Sequence, residues 1–446
     1  MRRIPIVKTV LSNFANREGL RKYAANTSWL MAERILRMAI GLLVGVYIAR
    51  YLGPVQFGLI SYASSFVGLF VVLATLGLDN IVIRELVRKP ETSGTLLGTA
   101  FWLKLAGTFL MWAAIAAVLT LTENDLLTRN LILVIAFAAV FQAFNVIDFN
   151  YQAEVRSKYV VHIQFFQLLV SAIVKLFFIA IEAPLMWFAW SYCLDAVLLA
   201  TGLCLMYLST GGRFMTWQWD RALARQLLKD CWPLILSGLV ISIYMKIDQV
   251  MIHAMLGPGE VGLYAAAVGL SEAWYFIPVV ITSSVFPAII NAKRQDAGRY
   301  NRQLQKLYDL MAWMAVAIAI PVTFLAPWII EFLYGTEFTA AAGVLAVHIW
   351  AGVFVSLGVA SGKWLITENL QFYSTVTTTI GAVINVILNY FLILEIGILG
   401  AAISTLISYF IAAYLCLLFF RKTRENFFSL SRSLFFTRIL NVCKSS

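Results

Sequence analysis

Apolar stretches of about 20 residues alternate along the whole chain with short polar segments or with glycine and proline. A helix needs about 20 apolar residues to cross a hydrocarbon core about 30 Å thick, so each stretch predicts one membrane-spanning helix. The eighth stretch contains Pro278 and Pro287 and is expected to be kinked or partly broken. The pattern predicts twelve spans, at residues 27–49, 57–78, 96–121, 130–150, 160–181, 185–208, 231–255, 261–290, 308–334, 340–366, 372–394 and 398–420.

Basic residues are distributed very unevenly between the two sets of predicted loops. One set, which includes both termini, holds about 26 lysines and arginines, whereas the other holds only Arg50 and Arg129. Because basic loops stay in the cytoplasm, both termini are predicted to be cytoplasmic. The formal net charge of +11 is then explained by topology, and no nucleic-acid partner is predicted. The other loops are too short to form an extracytoplasmic catalytic domain, so no enzymatic activity is expected.

Composition agrees with an all-α integral membrane protein. The chain is 61% hydrophobic and 13% charged, against about 25% charged residues in soluble domains. Its five cysteines are scattered, and its three histidines lack the spacing of metal ligands. No disulfide framework, metal site or cofactor is predicted.

A repeated motif divides the predicted spans into two halves. The stretch from Tyr47 to Ala63, YIARYLGPVQFGLISYA, recurs from Met251 to Ala267 as MIHAMLGPGEVGLYAAA, with L-G-P-x-x-x-G-L in register. The alternative is that L-G-P is only a common turn between apolar helices. The repeat predicts two six-helix lobes related by a pseudo-twofold axis along the membrane normal. The predicted order is a basic arm at 1–26, an N-lobe at 27–208, a cytoplasmic connector at 209–230, a C-lobe at 231–420 and a basic tail at 421–446.

Ionisable residues inside the predicted spans are the candidate functional residues. Each costs at least about 2.5–3.5 kcal/mol at the bilayer centre, so each must pair, reach the headgroups or line a watery cavity. Cations that line the cytoplasmic half of a cavity would hold an anionic substrate, and arginine suits forked contact with a phosphate group best. The candidate substrate-binding cations are Arg34, Arg37, Lys104, Lys175, Lys246 and Lys363, and the candidate ion-coupling or charge-pairing acids are Glu33, Asp195, Asp248 and Glu272.

Several of these residues have a second interpretation. Arg34, Lys104 and Lys363 are close enough to the cytoplasmic side to extend to the headgroups without a substrate role. Glu33 and Arg37 are spaced i, i+4 and could neutralise each other. The acids could take up a proton or sodium, or form structural ion pairs. Lys246 and Asp248 lie about 200° apart on a helix, so they are not expected to face the same cavity.

Three segments carry a resemblance to a known family. They are LGPVQFGLISYASSFVGLFVVLATLGLDNIVIREL (Leu52 to Leu86), the second LGPGEVGLYAAA, and NYFLILEIGILGAAISTLIS (Asn389 to Ser408). Together they resemble the Wzx-type O-antigen and polysaccharide flippases of the multidrug/oligosaccharidyl-lipid/polysaccharide exporter superfamily, whose relatives include MATE drug exporters and lipid II flippases. The resemblance extends over nearly the whole chain.

The resemblance implies a V-shaped pair of lobes in the bacterial inner membrane. The protein would carry undecaprenyl-diphosphate-linked oligosaccharide repeat units from the cytoplasmic to the periplasmic leaflet by alternating access. Expected partners are membrane lipids, this polyprenyl-diphosphate-linked oligosaccharide, a coupling H⁺ or Na⁺, and other polysaccharide-assembly proteins. Two alternatives remain: a MATE-type drug/cation antiporter, which would need an acidic or aromatic cavity, and a polysaccharide polymerase, which would need a large outer loop.

Overall fold

A computed structural model describes residues 5–122 and 125–434 of the chain, with side chains at 36–122, 125–293, 295–296 and 298–434. These residues form helices and turns, and none of them lies in a strand. The α-helices are α1 Pro5–Thr75, α2 Asp79–Arg88, α3 Ser93–Leu119, α4 Leu126–Phe137, α5 Val146–Ala153, α6 Lys158–Ala180, α7 Leu185–Ser209, α8 Arg221–Leu256, α9 Pro258–Glu272, α10 Phe276–Gln295, α11 Ala297–Tyr334, α12 Ala341–His348, α13 Ala351–Thr367, α14 Gln371–Ile396, α15 Ile398–Phe410, α16 Cys416–Phe419 and α17 Arg424–Leu434.

The described helices confirm the predicted fold class. Eleven helical segments within the described residues are long and apolar enough to cross a membrane. The first of them, Leu36–Arg88, is 53 residues long, more than twice the length that one span needs. Gly53 divides it with a backbone φ of 67°, a left-handed conformation that glycine adopts without strain. The two arms on either side of Gly53 are separate spans, which gives the twelve that the hydrophobic pattern predicts.

The eighth predicted span is broken, but the break lies on the N-terminal side of both of its prolines. It consists of α9 and α10, which are separated by a turn at 273–275. Pro278 lies in the first turn of α10, where its missing N–H removes no helical hydrogen bond, and Pro287 lies within α10. Trp274 fills the turn and packs on Gly352 of α13, where a Cβ would lie 2.2 Å from Trp274 Cζ2. The close packing of this large ring therefore holds the break in place.

The repeated motif forms a reciprocal contact between the two halves of the chain. In each copy a glycine with positive φ, Gly53 or Gly257, ends one helix, and the following proline opens the next. A Cβ at Gly58 would lie 1.8 Å from the carbonyl oxygen of Pro258, and one at Gly262 would lie 1.9 Å from that of Pro54. We call this pair of close approaches the glycine contact. Helices α1–α7 are called the N-lobe and α8–α16 the C-lobe.

The glycine contact lies at one end of the helix bundle. The opposite end carries the loops at 89–92, 154–157 and 210–220, the turn at Asp296 and the helix α17, and we call it the basic end. Between the two ends, α1 and α2 of the N-lobe follow α8 of the C-lobe along a line that we call the seam. From the glycine contact towards the basic end, the seam consists of Tyr62 stacked on His253, Ser65 hydrogen-bonded to Gln249, Gly68 against Lys246, Val72 against Gly238, Gly77 against Leu234, and Arg84 paired with Asp230.

The helix α17 is a feature that the sequence pattern does not predict beyond a basic tail. Its Asn426 is buried and connects two helices of the C-lobe. Tyr308 of α11 donates a hydrogen bond to Asn426 Oδ1 at 2.5 Å, and Asn426 Nδ2 donates to Ser361 of α13 at 2.7 Å. Gln305 of α11 also donates to the backbone carbonyl of Ser429 at 3.1 Å. These bonds fix α17 across the basic end of the C-lobe.

Candidate functional site

Two of the predicted cations are neutralised inside the N-lobe. Lys175 of α6 donates to Asp195 of α7 at 2.7 Å, and it lines a largely apolar cavity of about 230 Å³ between α1, α6 and α7. Lys104 of α3 is 2% exposed, and its ammonium lies 3.5 Å from Asp79 and 4.8 Å from the ring centroid of Phe149. Each lysine therefore has a carboxylate partner within its own lobe.

Two other predicted cations contact neutral groups. Arg37 of α1 donates to the side-chain amide oxygen of Gln164 at 3.0 Å, which links the first and fifth spans. Lys363 of α13 lies over the ring of Phe286 at 5.2 Å from its centroid, a cation–π contact between α13 and α10. The side chains of Arg34 and Glu33 lie outside the described residues, so their predicted roles stay predictions.

Lys246 occupies the boundary between the lobes. Its aliphatic stem lies beside Gly68 of the N-lobe, where a Cβ would be 3.5 Å from Lys246 Cγ. Among the described residues, no carboxylate lies within the 4.0 Å ion-pair distance of its ammonium. Glu272, at the end of α9, interacts with it electrostatically at longer range. Lys246 therefore places a positive charge where the two lobes meet.

Asp248 points away from Lys246 into the centre of the C-lobe. Its carboxylate is buried and accepts hydrogen bonds from three other helices. Tyr264 of α9 donates to Oδ2 at 2.8 Å, Thr405 of α15 donates to Oδ2 at 2.7 Å, and Asn389 of α14 donates to Oδ1 at 2.6 Å. The helical spacing correctly predicts that Lys246 and Asp248 have different surroundings.

The group around Asp248 differs chemically from the acids of the N-lobe. Asp79 and Asp195 each have a lysine, whereas the hydrogen-bond partners of Asp248 among the described residues are neutral hydroxyls or amides. Asn385 lies one turn from Asn389, and their side chains are joined by a 3.2 Å hydrogen bond. A buried carboxylate surrounded by oxygen atoms is suited to hold a proton or a small monovalent cation. We call Asp248, Tyr264, Asn385, Asn389 and Thr405 the Asp248 cluster.

The sequence-based selection missed four of the five residues of the Asp248 cluster because it considered only ionisable groups. The signal that could have found two of them was present. Asn385 and Asn389 are amides spaced i, i+4 within one predicted span, and both are 0% exposed.

Among the described residues, no three His, Cys, Asp or Glu side chains come together as a multidentate metal site requires.

Comparison with known proteins gives one family match and several structural neighbours. The family model for polysaccharide biosynthesis proteins matches residues 23–293. A "Probable low-salt glycan biosynthesis flippase Agl15" of Haloferax volcanii is 26% identical over 170 residues, which are 37% of this chain and 35% of that protein. A candidate O-antigen transporter of Shigella dysenteriae is 24% identical over 181 residues, 40% of this chain and 45% of that protein. The matched segments thus span less than half of these relatives.

Solved structures show the same fold over nearly the full chain. A lipid II flippase, MurJ, in an inward closed conformation superimposes with a TM-score of 0.70 and 15% identity, covering 93% of this chain and 92% of that one. An inward-facing MATE family multidrug transporter has a TM-score of 0.73 and 14% identity, covering 89% and 96%. An outward-facing MATE family transporter has a TM-score of 0.56 at 16% identity, covering 90% and 93%.

Proposed function

The chain belongs to the polysaccharide biosynthesis protein family, and from this membership we propose that it is a flippase for lipid-linked oligosaccharides. Its substrate would be an undecaprenyl-diphosphate-linked repeat unit of O-antigen or another surface polysaccharide. The protein would move this lipid from the cytoplasmic to the periplasmic leaflet of a bacterial inner membrane. The names of two relatives, a glycan biosynthesis flippase and a candidate O-antigen transporter, support this class of cargo.

The position of Lys246 carries the proposal. Lys246 places an ammonium at the boundary between the lobes, and no carboxylate among the described residues lies inside ion-pair distance of it, so it is a counter-charge for an anion that enters between them. A lipid diphosphate brings about two negative charges to this depth, and they become strongly attracted to a cation once water is excluded. Arg37 would add a second contact from the N-lobe. Lys104 and Lys175 then act mainly as structural partners of Asp79 and Asp195.

The packing between the lobes supports alternating access. The glycine contact brings the lobes together at the end opposite the basic end, so the closed side of the protein is the non-basic side. The higher TM-score against an inward-facing than against an outward-facing transporter agrees with this state. The basic end, with both termini, would face the cytoplasm. The sequence-predicted lobes at 27–208 and 231–420 would move relative to each other, joined by the predicted connector at 209–230.

The Asp248 cluster supports coupling to a cation. Flipping a large polar headgroup in one direction needs a driving force, and the electrochemical gradient of H⁺ or Na⁺ supplies one. Binding at Asp248 would change the interactions of α8, α9, α14 and α15, because each of these helices contributes at least one side chain to the cluster. The two ends of α8 contact the N-lobe, so a change at Asp248 would reach the seam directly.

A cellular experiment tests the proposed substrate. We expect Lys246→Ala and Arg37→Ala to remove surface polysaccharide and to cause lipid-linked repeat units to accumulate inside the cell, at unchanged protein level. Lys158→Ala is the matched control, because Lys158 is an exposed lysine at the start of α6, outside the boundary between the lobes. Normal polysaccharide in both variants would overturn the role of these cations. Normal polysaccharide together with altered drug resistance would favour an antiporter.

A further inference from the structure

A second cavity lies inside the C-lobe, near the basic end and below the Asp248 cluster. It has a volume of about 250 Å³ and is bounded by α8, α13, α14 and the segment that follows α15. Its lining combines apolar side chains, such as Phe354, Val355 and Leu365, with hydroxyl or small ones, among them Tyr244, Ser361, Thr377, Thr378, Ala412 and Ala413. Ser361 also accepts the hydrogen bond from Asn426, so α17 lies next to the mouth of this cavity.

One face of α14 connects this cavity to the Asp248 cluster. Starting from the basic end, the face carries Ser374, Thr378, Gly381, Asn385 and Asn389, at spacings of three or four residues. Ser374 and Thr378 line the cavity, and Asn389 donates to Asp248. A continuous row of polar or small residues on this helix indicates a face turned away from lipid, since lipid-facing positions would be apolar.

Tyr244 links the cavity to the carboxylate across this face. It is 7% exposed and lies one helical turn before Asp248 on α8. Its hydroxyl lines the cavity, has no hydrogen-bond partner among the described residues, and would be 3.4 Å from a Cβ at Gly381. Asn385 Nδ2 and Asn389 Oδ1 are likewise buried without a partner. Buried polar groups of this kind are usually satisfied by water or by a bound ion, because a buried donor or acceptor without a partner is unfavourable.

The helix that follows α15 leaves room at the same place. Residues Ile411–Leu415 form a π-helical turn, a feature frequently found at functional sites. This turn presents Ala412 and Ala413 to the cavity, so this part of the wall has only methyl side chains. A Cβ at Gly381 would lie 2.7 Å from Ala412 Cβ, which makes Gly381 the narrowest point between the cavity and Asn385.

We propose that the cavity and the polar face of α14 form a path by which a monovalent cation, H⁺ or Na⁺, reaches Asp248 from the basic end. The path lies inside the C-lobe and is separate from the space between the lobes. It rests on the proposed coupling of transport to a cation at Asp248. The cavity is large enough for several waters, since one water needs only about 10–15 Å³, but it is too small for an oligosaccharide. Ion and substrate would therefore enter by different routes.

Cysteine accessibility tests the path. Thr378→Cys is placed in a variant whose native cysteines are serine, at positions Cys193, Cys204, Cys231, Cys416 and Cys443. Val383→Cys is the control, because Val383 is on the same helix and 54% exposed on its outer side. A small, positively charged, water-soluble methanethiosulfonate is added to membrane vesicles with the basic end outside. We expect Thr378→Cys to react at least about tenfold faster, because only the hydrated thiolate reacts.

Ion exchange provides the second measurement. In proteoliposomes, exchange of ²²Na⁺ and of protons is followed in the parent protein, in Gly381→Val and in modified Thr378→Cys. We expect exchange in the parent and at least about a tenfold loss in both altered proteins, a change of about 1.4 kcal/mol or more in the barrier. Gly381→Val should leave the labelling of Thr378→Cys unchanged, because it closes the path beyond that residue.

The outcomes separate this path from the proposed function. Equal labelling of Thr378→Cys and Val383→Cys, with ion exchange in the parent, would overturn the path alone. Full exchange after modification of Thr378→Cys would also overturn it. Absence of both Na⁺ and H⁺ exchange in the parent would overturn cation coupling, and the path with it, while leaving flipping of the lipid to be judged by its own assay.

Discussion

Replacing Gly262 by alanine should weaken the closed state of the non-basic end. The added Cβ would lie 1.9 Å from the carbonyl oxygen of Pro54 and 2.8 Å from its carbonyl carbon. Ordinary contacts of a Cβ begin at 3.4 Å, so the two helices must separate by about 1.5 Å. The obstacle is backbone on a facing helix and cannot rotate away. Overpacking of this kind costs about 1–3 kcal/mol.

This cost applies only when the lobes are together at the non-basic end. A change of 1–3 kcal/mol between two states shifts their ratio about 5- to 150-fold, so the Gly262→Ala protein should open towards the non-basic side. Gly269→Ala is the matched control, since Gly269 is on the same helix and a Cβ there meets no atom within 4 Å. Both variants carry the same new methyl group.

A reporter cysteine measures the opening. Ser65 is 2% exposed and lies on the seam. Its contact with Gln249 is the next one after the Tyr62–His253 stack in the direction of the basic end. In whole cells, a membrane-impermeant maleimide should label Ser65→Cys at least about fivefold faster in the Gly262→Ala background. Equal labelling in the Gly262→Ala and Gly269→Ala backgrounds, with equal protein level, would refute the assignment of the glycine contact as the closing contact.

Two further substitutions test the stability of the lobes. Asp195→Asn should destabilise the N-lobe by about 1–3 kcal/mol, because it leaves Lys175 without its charged partner in a site that is still partly exposed. Adding Lys175→Met should restore most of the thermal stability. A double variant that is stable but inactive would contradict a purely structural role for the pair. Asn426→Ala should lower the melting temperature, because the buried Tyr308 hydroxyl loses its acceptor at a cost of about 1–3 kcal/mol. Ser429→Ala, on the same helix, is the control. An equal melting temperature in both variants would show that these hydrogen bonds do not fix α17.

The sequence alone predicts the features of this fold that repeat or follow hydrophobicity. The twelve spans follow from apolar length, and the two lobes follow from the copies of L-G-P-x-x-x-G-L around Gly53 and Gly257. The physical reason for that motif was not visible in the sequence. Its later glycines, Gly58 and Gly262, are required by an approach of two backbones from distant parts of the chain, and no local pattern reports such a contact.

The partners of buried charges on other helices could not be predicted from the sequence for the same reason. Lys175 and Asp195 lie 20 positions apart on two helices, and only packing decides that they meet. Asp248 was selected as an acid within a span, but its partner Thr405 is 157 positions away. The spacing of Lys246 and Asp248 predicted correctly that the two charges point in different directions. What lies in each direction depends on the arrangement of the twelve helices.

The most direct test of the account is transport of the lipid by the purified protein. The protein is reconstituted into proteoliposomes with an undecaprenyl-diphosphate-linked oligosaccharide whose sugar is fluorescent, and the fraction reached by a soluble sugar-oxidising reagent is followed in time. The account predicts rapid movement of the sugar between leaflets by the parent protein and Lys158→Ala, and loss of at least about tenfold in Lys246→Ala. Movement by the folded parent protein no faster than in empty liposomes would contradict it.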